Sequence, residues 1–458
     1  VNKNNIEDII PLSPLQQGML FHSLCSPEAG MYLSQLSCTF EGLNPDAFER
    51  AWQRVVDRHS IFRTAFIWED LDEPVQVVFR RLKLPVERLD FSEMPAHEQE
   101  ERLTAYLSAD RQRGFNYSQA PLMRLSILRI TKDTYRFIWT YHHLLMDSWS
   151  EFLLTAEIVS FYEAFSKGED IELEPCRPYG DYIAWLAEQN ISEAEKFWRQ
   201  TLKGFKPSRL SLAKSSAGQA GQVAEYGEYH IKLSPEKTAE LRQAARRYHL
   251  TPATMIQGAW ALILSHYSQT HDVVFGLNVS GRPALLPGVE TIVGAFINTL
   301  PLRVQISPGV SLLPWLKALQ ARQAELREYE YSPLALVQMW SDAPRGQAIF
   351  ESFIGFQATS VHTPMQARRK DGPGLQVRDT RFRGGWTNYP LALDVKLTSE
   401  TIVNLSYDRC CFDSAAIQQI LLGLEALLLA FVNQPSSVLA DLLQVLVTLD
   451  ERRHARQE

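Results

Sequence analysis

The sequence predicts an α+β fold with mixed sheets, divided into two lobes. Three observations carry the prediction. The chain has 458 residues, more than one ordinary core organises. Runs with helical apolar spacing alternate with short aromatic and β-branched runs along its whole length. The second half also restarts, after a polar stretch, with a strand and helix of the same kind that open the first half.

The elements follow in chain order. "NPDAFERAWQRVVDRH" (44–59) predicts a helix with Asn44 as cap, Pro45 at its first position and Phe48, Ala51, Trp52, Val55 and Val56 on one face. "TYRFIWTYHH" (134–143) predicts a strand. "SWSEFLLTAEIVSFYEAFSKG" (148–168) predicts a helix in which Ser148 and Glu151 fit a capping box and Gly168 a C-terminal stop. "EDIELEPCRPYGDYIAW" (169–185) is a connection punctuated by Pro175 and Pro178, and "LAKSSAGQAGQVAEYGE" (212–228) reads as a flexible surface loop. The second half then shows "EYHIKL" as a strand, "SPEKTAELRQAARRYH" and "TPATMIQGAWALILSHYS" as helices, and "DVVFGLNVSGR" as a strand. The tail "LDERRHARQE" is expected to be a linker or a frayed end. The lobe boundary is placed near 172–178, giving lobes of 1–174 and 175–458.

Composition narrows the function classes. Hydrophobic residues make up 45% and charged residues 22%, ample for packed cores. The net charge of −7, without a basic run, argues against general nucleic-acid binding. Five cysteines (Cys25, Cys38, Cys176, Cys410, Cys411) show no C-x-x-C spacing, so neither a disulfide framework nor a zinc ribbon is indicated, and Cys410 and Cys411 read as partly buried small apolar residues. The start lacks a signal-peptide core, and a cytoplasmic location is expected. "AAIQQILLGLEALLLAFV" (415–432) is interrupted by Gln418, Gln419 and Glu425 and carries helical apolar spacing, so it predicts a buried amphipathic helix and no membrane span.

The chemistry concentrates in "YHHLLMDSWS" (141–150). Neighbouring side chains on a strand point to opposite faces, so His142 and His143 cannot both enter one site while the strand stays regular. A zinc site needs three or four convergent ligands, and no second cluster such as H-E-x-x-H is present; no metal is expected. A strand end meeting a helix start does place side chains and free N–H groups together, where ligands bind. Asp147 could equally be a helix-cap carboxylate. Neither G-x-S-x-G nor Walker A nor G-x-G-x-x-G occurs, which leaves histidine-led acyl transfer without a covalent intermediate as the enzymatic option.

His-His-x-x-x-Asp resembles the core motif of condensation domains of nonribosomal peptide synthetases, in the chloramphenicol-acetyltransferase-like superfamily. The resemblance recurs in the family's order along nearly the whole chain: "PLSPLQQGMLFH" (11–22), "RHSIFRTAF" (58–66), "YGDYIAW" (179–185), "VSGRP" (279–283), "IVGAFINTLPLRV" (292–304), "YEYSPLALVQMWS" (329–341) and "YDRCCFD" (407–413). It implies two acetyltransferase-like lobes in a V-shaped pseudo-dimer, with a tunnel between them. It also implies peptide-bond formation in the biosynthesis of secondary metabolites such as antibiotics. A donor thioester and an acceptor aminoacyl thioester, each on the 4′-phosphopantetheine of a carrier protein, enter from opposite faces, and no cofactor is bound by the domain itself. The implied partners are an upstream donor carrier, a downstream acceptor carrier and an adjacent adenylation domain, with a monomeric domain and neither nucleic acid nor membrane.

By the same resemblance His143 faces the tunnel as the catalytic histidine, beside His142. Asp147 is architectural and pairs with Arg282 of the other lobe, and Arg63 and Ser148 support the site. Trp149, Trp386, Asn388 and Tyr389 line the tunnel, the last three within "GGWTNYPLAL" (384–393). The family usually has glycine where this chain has Ser148. Serine there either strains a backbone that needs positive φ, or narrows the tunnel, or is a favourable cap. The opening block and "YSPLALVQMWS" look like domains whose donors end in a D-residue. An inactive recruitment platform and an epimerization domain of the same fold are the alternatives.

Overall fold

The computed structural model describes residues 3–25, 30–212, 226–357, 376–384, 387 and 389–457. The loop read at 212–228 falls largely outside them. Strands run, in order, as β1 (Ile6–Pro11), β2 (Leu33–Glu41), β3 (Thr64–Ile67), β4 (Val75–Phe79), β5 (Val86–Asp90), β6 (Met123–Arg129), β7 (Thr134–His142), β8 (Tyr226–Leu233), β9 (Asp272–Val279), β10 (Asn298–Gln305), β11 (Ser352–Gln357), β12 (Gln376–Arg383), β13 (Leu391–Leu397) and β14 (Thr401–Asp408). The sheets are β1-β4-β3, β12-β2-β7-β6-β5 and β10-β9-β11-β13-β14-β8. The first is antiparallel and the other two are mixed.

The chain divides into two compact units: 1–189 with 282–297 and 360–388, and 190–281 with 298–359 and 389–458. The first division thus comes at 189/190, against 174/175 in the sequence reading. Two segments from the second half of the sequence belong to the first unit, and one of them contains Arg282.

In the first unit, α1 (Pro14–Cys25), α2 (Pro45–Arg58), α3 (Ala96–Arg113) and α4 (Ser148–Ser166) accompany the sheets. α2 forms because Asn44 accepts from the Asp46 and Ala47 N–H groups, Pro45 presets the first turn, and the predicted apolar face is fully buried. Phe48 and Trp52 pack edge-on against Phe137 and Trp139 of β7, so the strand that ends in His142 is braced from below. β12 pairs antiparallel with β2, and Arg136 ties it down through Asp379 at 2.7 Å.

The second unit packs Pro252–Ser268 and Ser414–Asn433 into one apolar core with the six-stranded sheet. Ser414–Asn433 is long and apolar enough to cross a membrane, but Ile417, Ile420, Leu424, Leu428 and Phe431 are buried in that core. The tail corrects its expectation, for Leu439–Gln457 is helical. Leu439, Leu442 and Leu446 bury one face of it, and Asp450 accepts from His266 (2.7 Å) and Gln419 (2.6 Å). Tertiary anchoring there overrides a charged composition.

Candidate active site

β7 ends at His142, and the next five residues decide the site. His142 continues the strand's alternation and turns inward, where it is buried. Its Nδ1 accepts the Leu144 N–H at 3.1 Å, so the ring hydrogen sits on Nε2, beside Ser23 Oγ of α1 at 3.3 Å. Both nitrogens are engaged, and burial lowers the ring's pKa to about 3. His142 is thus a buried ring held in its neutral form by its neighbours.

His143 leaves the strand and is partly exposed. Its N–H donates to Tyr32 O at 2.8 Å, from a Tyr32 held at φ 57. Nδ1 lies 3.2 Å from Met146 O, and Nε2 lies 2.9 Å from Ser34 Oγ on β2. A carbonyl can only accept, so Nδ1 carries the hydrogen and Nε2 the lone pair. The two histidines are therefore opposite tautomers. Burial lowers the His143 pKa, against the Met146 hydrogen bond and the Asp147 charge, which favours a neutral ring whose Nε2 lone pair faces the Ser34 hydroxyl. The Tyr141 ring meets His143 edge-on at 5.6 Å.

Asp147 caps α4, where its Oδ1 accepts the Ser150 N–H at 2.8 Å. The same oxygen lies 3.3 Å from Arg282 Nη2, and Oδ2 accepts the Phe296 N–H at 3.3 Å. This corrects the capping box: Ser148 is the first helical residue, and Glu151 does not reach back to the cap. Glu151 is buried instead, takes a hydrogen bond from Tyr141 OH, and has its pKa raised by burial to about 8. Ser148 has helical backbone with no positive φ, so the strain argued for a missing glycine does not arise.

Arg282 belongs to the same unit as Asp147, so the pair fastens a returning segment within one unit and does not link one lobe to another. Its Nη1 donates to Val289 O (2.6 Å) and Ile292 O (2.9 Å), and its guanidinium covers the Phe296 ring at 3.9 Å. Ser150, which the sequence reading missed, is the hub. Its Oγ accepts from Arg282 Nη2 (2.9 Å) and the Gly294 N–H (3.0 Å) and donates to Gly294 O (2.9 Å). Gly294 is required because a Cβ there would lie 2.1 Å from the Tyr179 ring, whose hydroxyl donates to Ala295 O.

Gln16 was also missed. It closes an S-x-x-Q capping box with Ser13 and donates from Nε2 to Leu144 O at 2.9 Å, steadying the loop behind His143. The capping signal was visible in "LSPLQ"; the bond to Leu144 was not. Trp149 is 46% exposed and donates to Glu290 O. Arg63 is buried among Val56 O, Glu7 and Phe79 O, so it clamps β1 and β4 to the end of α2. Tyr389 belongs to the second unit, packed on Phe350 and Phe353. Trp386 and Asn388 lie outside the described residues. Among the described residues no group of three or more His, Cys, Asp and Glu is placed to hold a metal ion.

The arrangement offers one solvent-reachable neutral imidazole, oriented through Nδ1 and presenting Nε2, on a loop held from four sides. That is the equipment of a proton acceptor or hydrogen-bonding group.

A family model described as "Condensation domain" matches residues 6–452. A component protein of the linear gramicidin synthase of Brevibacillus parabrevis is 43% identical over 455 residues, covering 98% of this chain and 9% of that protein. Bacitracin synthase 1 of Bacillus licheniformis is 32% identical over 417 residues, covering 91% and 8%. The chain thus spans less than a tenth of either relative. Among solved structures, the condensation domain from the Monacolin K polyketide synthase MokA is 17% identical with TM-score 0.78, covering 95% of this chain and 100% of that one. A complex of the X-domain and OxyB from teicoplanin biosynthesis is 20% identical with TM-score 0.79, covering 95% and 96%. These structural likenesses carry the fold.

Proposed function

We propose, from the premise that the chain belongs to the condensation-domain family of nonribosomal peptide synthetases, that it joins two carrier-bound substrates through a peptide bond. The α-amine of an acceptor aminoacyl thioester attacks the carbonyl of a donor thioester, and the donor chain passes to the acceptor's amine as the donor carrier thiol leaves. The observation that carries this reading is the placement of His143, partly exposed at the strand end, with Nδ1 held against Met146 O and Nε2 beside the Ser34 hydroxyl.

Little else is asked of the protein. A thioester is already activated, and an α-amine next to an acyl group is partly neutral near pH 7. Positioning the two can contribute roughly 7–11 kcal/mol, with His143 taking the amine proton or stabilising the developing charge. Asp147, Ser150 and Arg282 hold the loop from behind. The finer parts of the reading are a donor ending in a D-residue, supplied by an upstream carrier; an acceptor carrier and adenylation domain downstream; tunnel contacts by Trp149, Trp386, Asn388 and Tyr389; two acetyltransferase-like lobes; and a monomeric domain at work in the cytoplasm.

The test loads a D-terminated peptidyl donor and an aminoacyl acceptor onto separate carriers, adds the chain, and follows the acceptor by intact mass. Transfer that His143→Ala removes supports the proposal. No transfer across several verified substrate pairs would favour a recruitment platform, and loss of α-proton chirality on one carrier would favour epimerization.

A further inference from the structure

A second constellation in the first unit is built from parts the proposed reaction does not use. His59 follows the last residue of α2 and is buried. Glu157, in the middle of α4, sets Oε2 2.7 Å from His59 Nε2 and Oε1 3.1 Å from Arg58 Nε. On the other side of the ring, Cys176 Sγ lies 3.7 Å from His59 Nδ1. A carboxylate only accepts, so Nε2 carries the hydrogen and Nδ1 turns its lone pair to the thiol. Thiol, imidazole and carboxylate stand in the order that activates a nucleophile.

The surroundings keep the cluster together and open. Arg58 also donates to Leu173 O at 3.4 Å and to Glu174 O, which holds the irregular segment carrying Cys176 against α2. Cys176 is partly exposed, between exposed Pro175 and Arg177. Burial opposes both charged forms, yet the Cys176–His59 contact outweighs it for the thiol, whose pKa is lowered. For His59 the same contact and the Glu157 carboxylate outweigh burial, and its pKa is raised. Cys38 and Cys411 go the other way, pushed by burial to about 12 and about 11.

The geometry points to Cys176 as a reactive thiolate and a site of covalent modification by small disulfides. In that step the Cys176 proton passes to His59, and the thiolate attacks one sulfur of RS–SR. One S–S bond forms as another breaks, the electron pair leaves on RS⁻, and His59 returns its proton to give RSH. Cys176 is oxidised and the departing half of the disulfide is reduced, so no other oxidant is needed. The site is independent of the acyl-transfer reading.

The test incubates the full chain with glutathione disulfide near neutral pH and follows each cysteine by peptide mass mapping, with exposed Cys25 as the internal reference. At about pH 6.5, Cys176 should react roughly tenfold faster than Cys25, and Glu157→Gln should remove most of that advantage. Equal rates at the two cysteines, or an advantage untouched by Glu157→Gln, would overturn the proposal. If Glu157→Gln unfolds the chain, which labelling of buried Cys38 would reveal, the thiolate ultraviolet absorbance of the native chain minus that of Cys176→Ser decides. A titration step below the ordinary thiol range supports the assignment, and a step at or above it refutes it.

Discussion

Ser34 Oγ lies 2.9 Å from His143 Nε2, the one ring nitrogen that carries a lone pair. The contact is set by sheet register, since Ser34 on β2 stands opposite Tyr141 on β7, two residues before the histidine. The hydroxyl is placed to donate to that lone pair and so to orient the ring. Ser34→Ala should slow transfer by roughly two- to tenfold, the worth of one net hydrogen bond. Single-turnover intact-mass kinetics read it, and an unchanged rate would dismiss an orienting role for Ser34.

The adjacent histidines should separate cleanly. His143→Ala removes a partly exposed ring, so transfer should collapse while the melting temperature holds. His142→Ala empties a buried site and strands Leu144 N–H, costing roughly 1–3 kcal/mol. Its melting temperature should fall first. Equal losses of stability in the two variants would contradict the tautomer assignment.

Asp147→Ala leaves Arg282 uncompensated in a buried setting, a loss of roughly 3–5 kcal/mol, and also removes the α4 cap. Asp147→Asn keeps the cap acceptor and should lose less. Denaturant unfolding of both variants measures the difference; matching midpoints would mean that the charge on Asp147 is unimportant.

Two buried groups shape stability against pH in opposite senses. His142 has its pKa at about 3 against an ordinary 6.5, so between those values the unfolded chain binds a proton that the folded chain refuses. Its contribution is present above 6.5 and is lost as pH falls. Glu151 stands at about 8 against 4.5, so the folded chain keeps a proton that the unfolded chain sheds, and stability falls as pH rises between them. Glu151→Gln should therefore gain on the parent chain in melting temperature from about pH 5 to about pH 8. A pH-independent difference would place the Glu151 shift elsewhere.

Ser148→Gly tests the departure from the family's usual glycine. The backbone there is the first turn of a helix, so glycine should cost at most about 0.5 kcal/mol and leave transfer unchanged. A marked gain in rate would show that the serine side chain obstructs a substrate arm.

Local order in this chain was legible. The cap Asn44 and the strand that ends at the histidines are written in signals spanning one turn or one strand, and the structure places them there. Those signals act between residues a few positions apart, which is why a single sequence reveals them. They misled at Ser148, where two residues could cap the same helix and the carboxylate already tied to Arg282 and Phe296 took the position. Gln16 with Leu144, Ser34 with His143 and Ser150 with Gly294 are partners more than a hundred residues apart. Their pairing is decided by which buried donor finds which buried acceptor once the layers pack, and no periodicity encodes it. The same holds for the return of 282–297 and of β12 to the first unit. By itself the sequence determined the local elements around the histidine motif and the family. Packing decided how each histidine is held, His142 between the Leu144 N–H and Ser23, and His143 between Met146 O and Ser34.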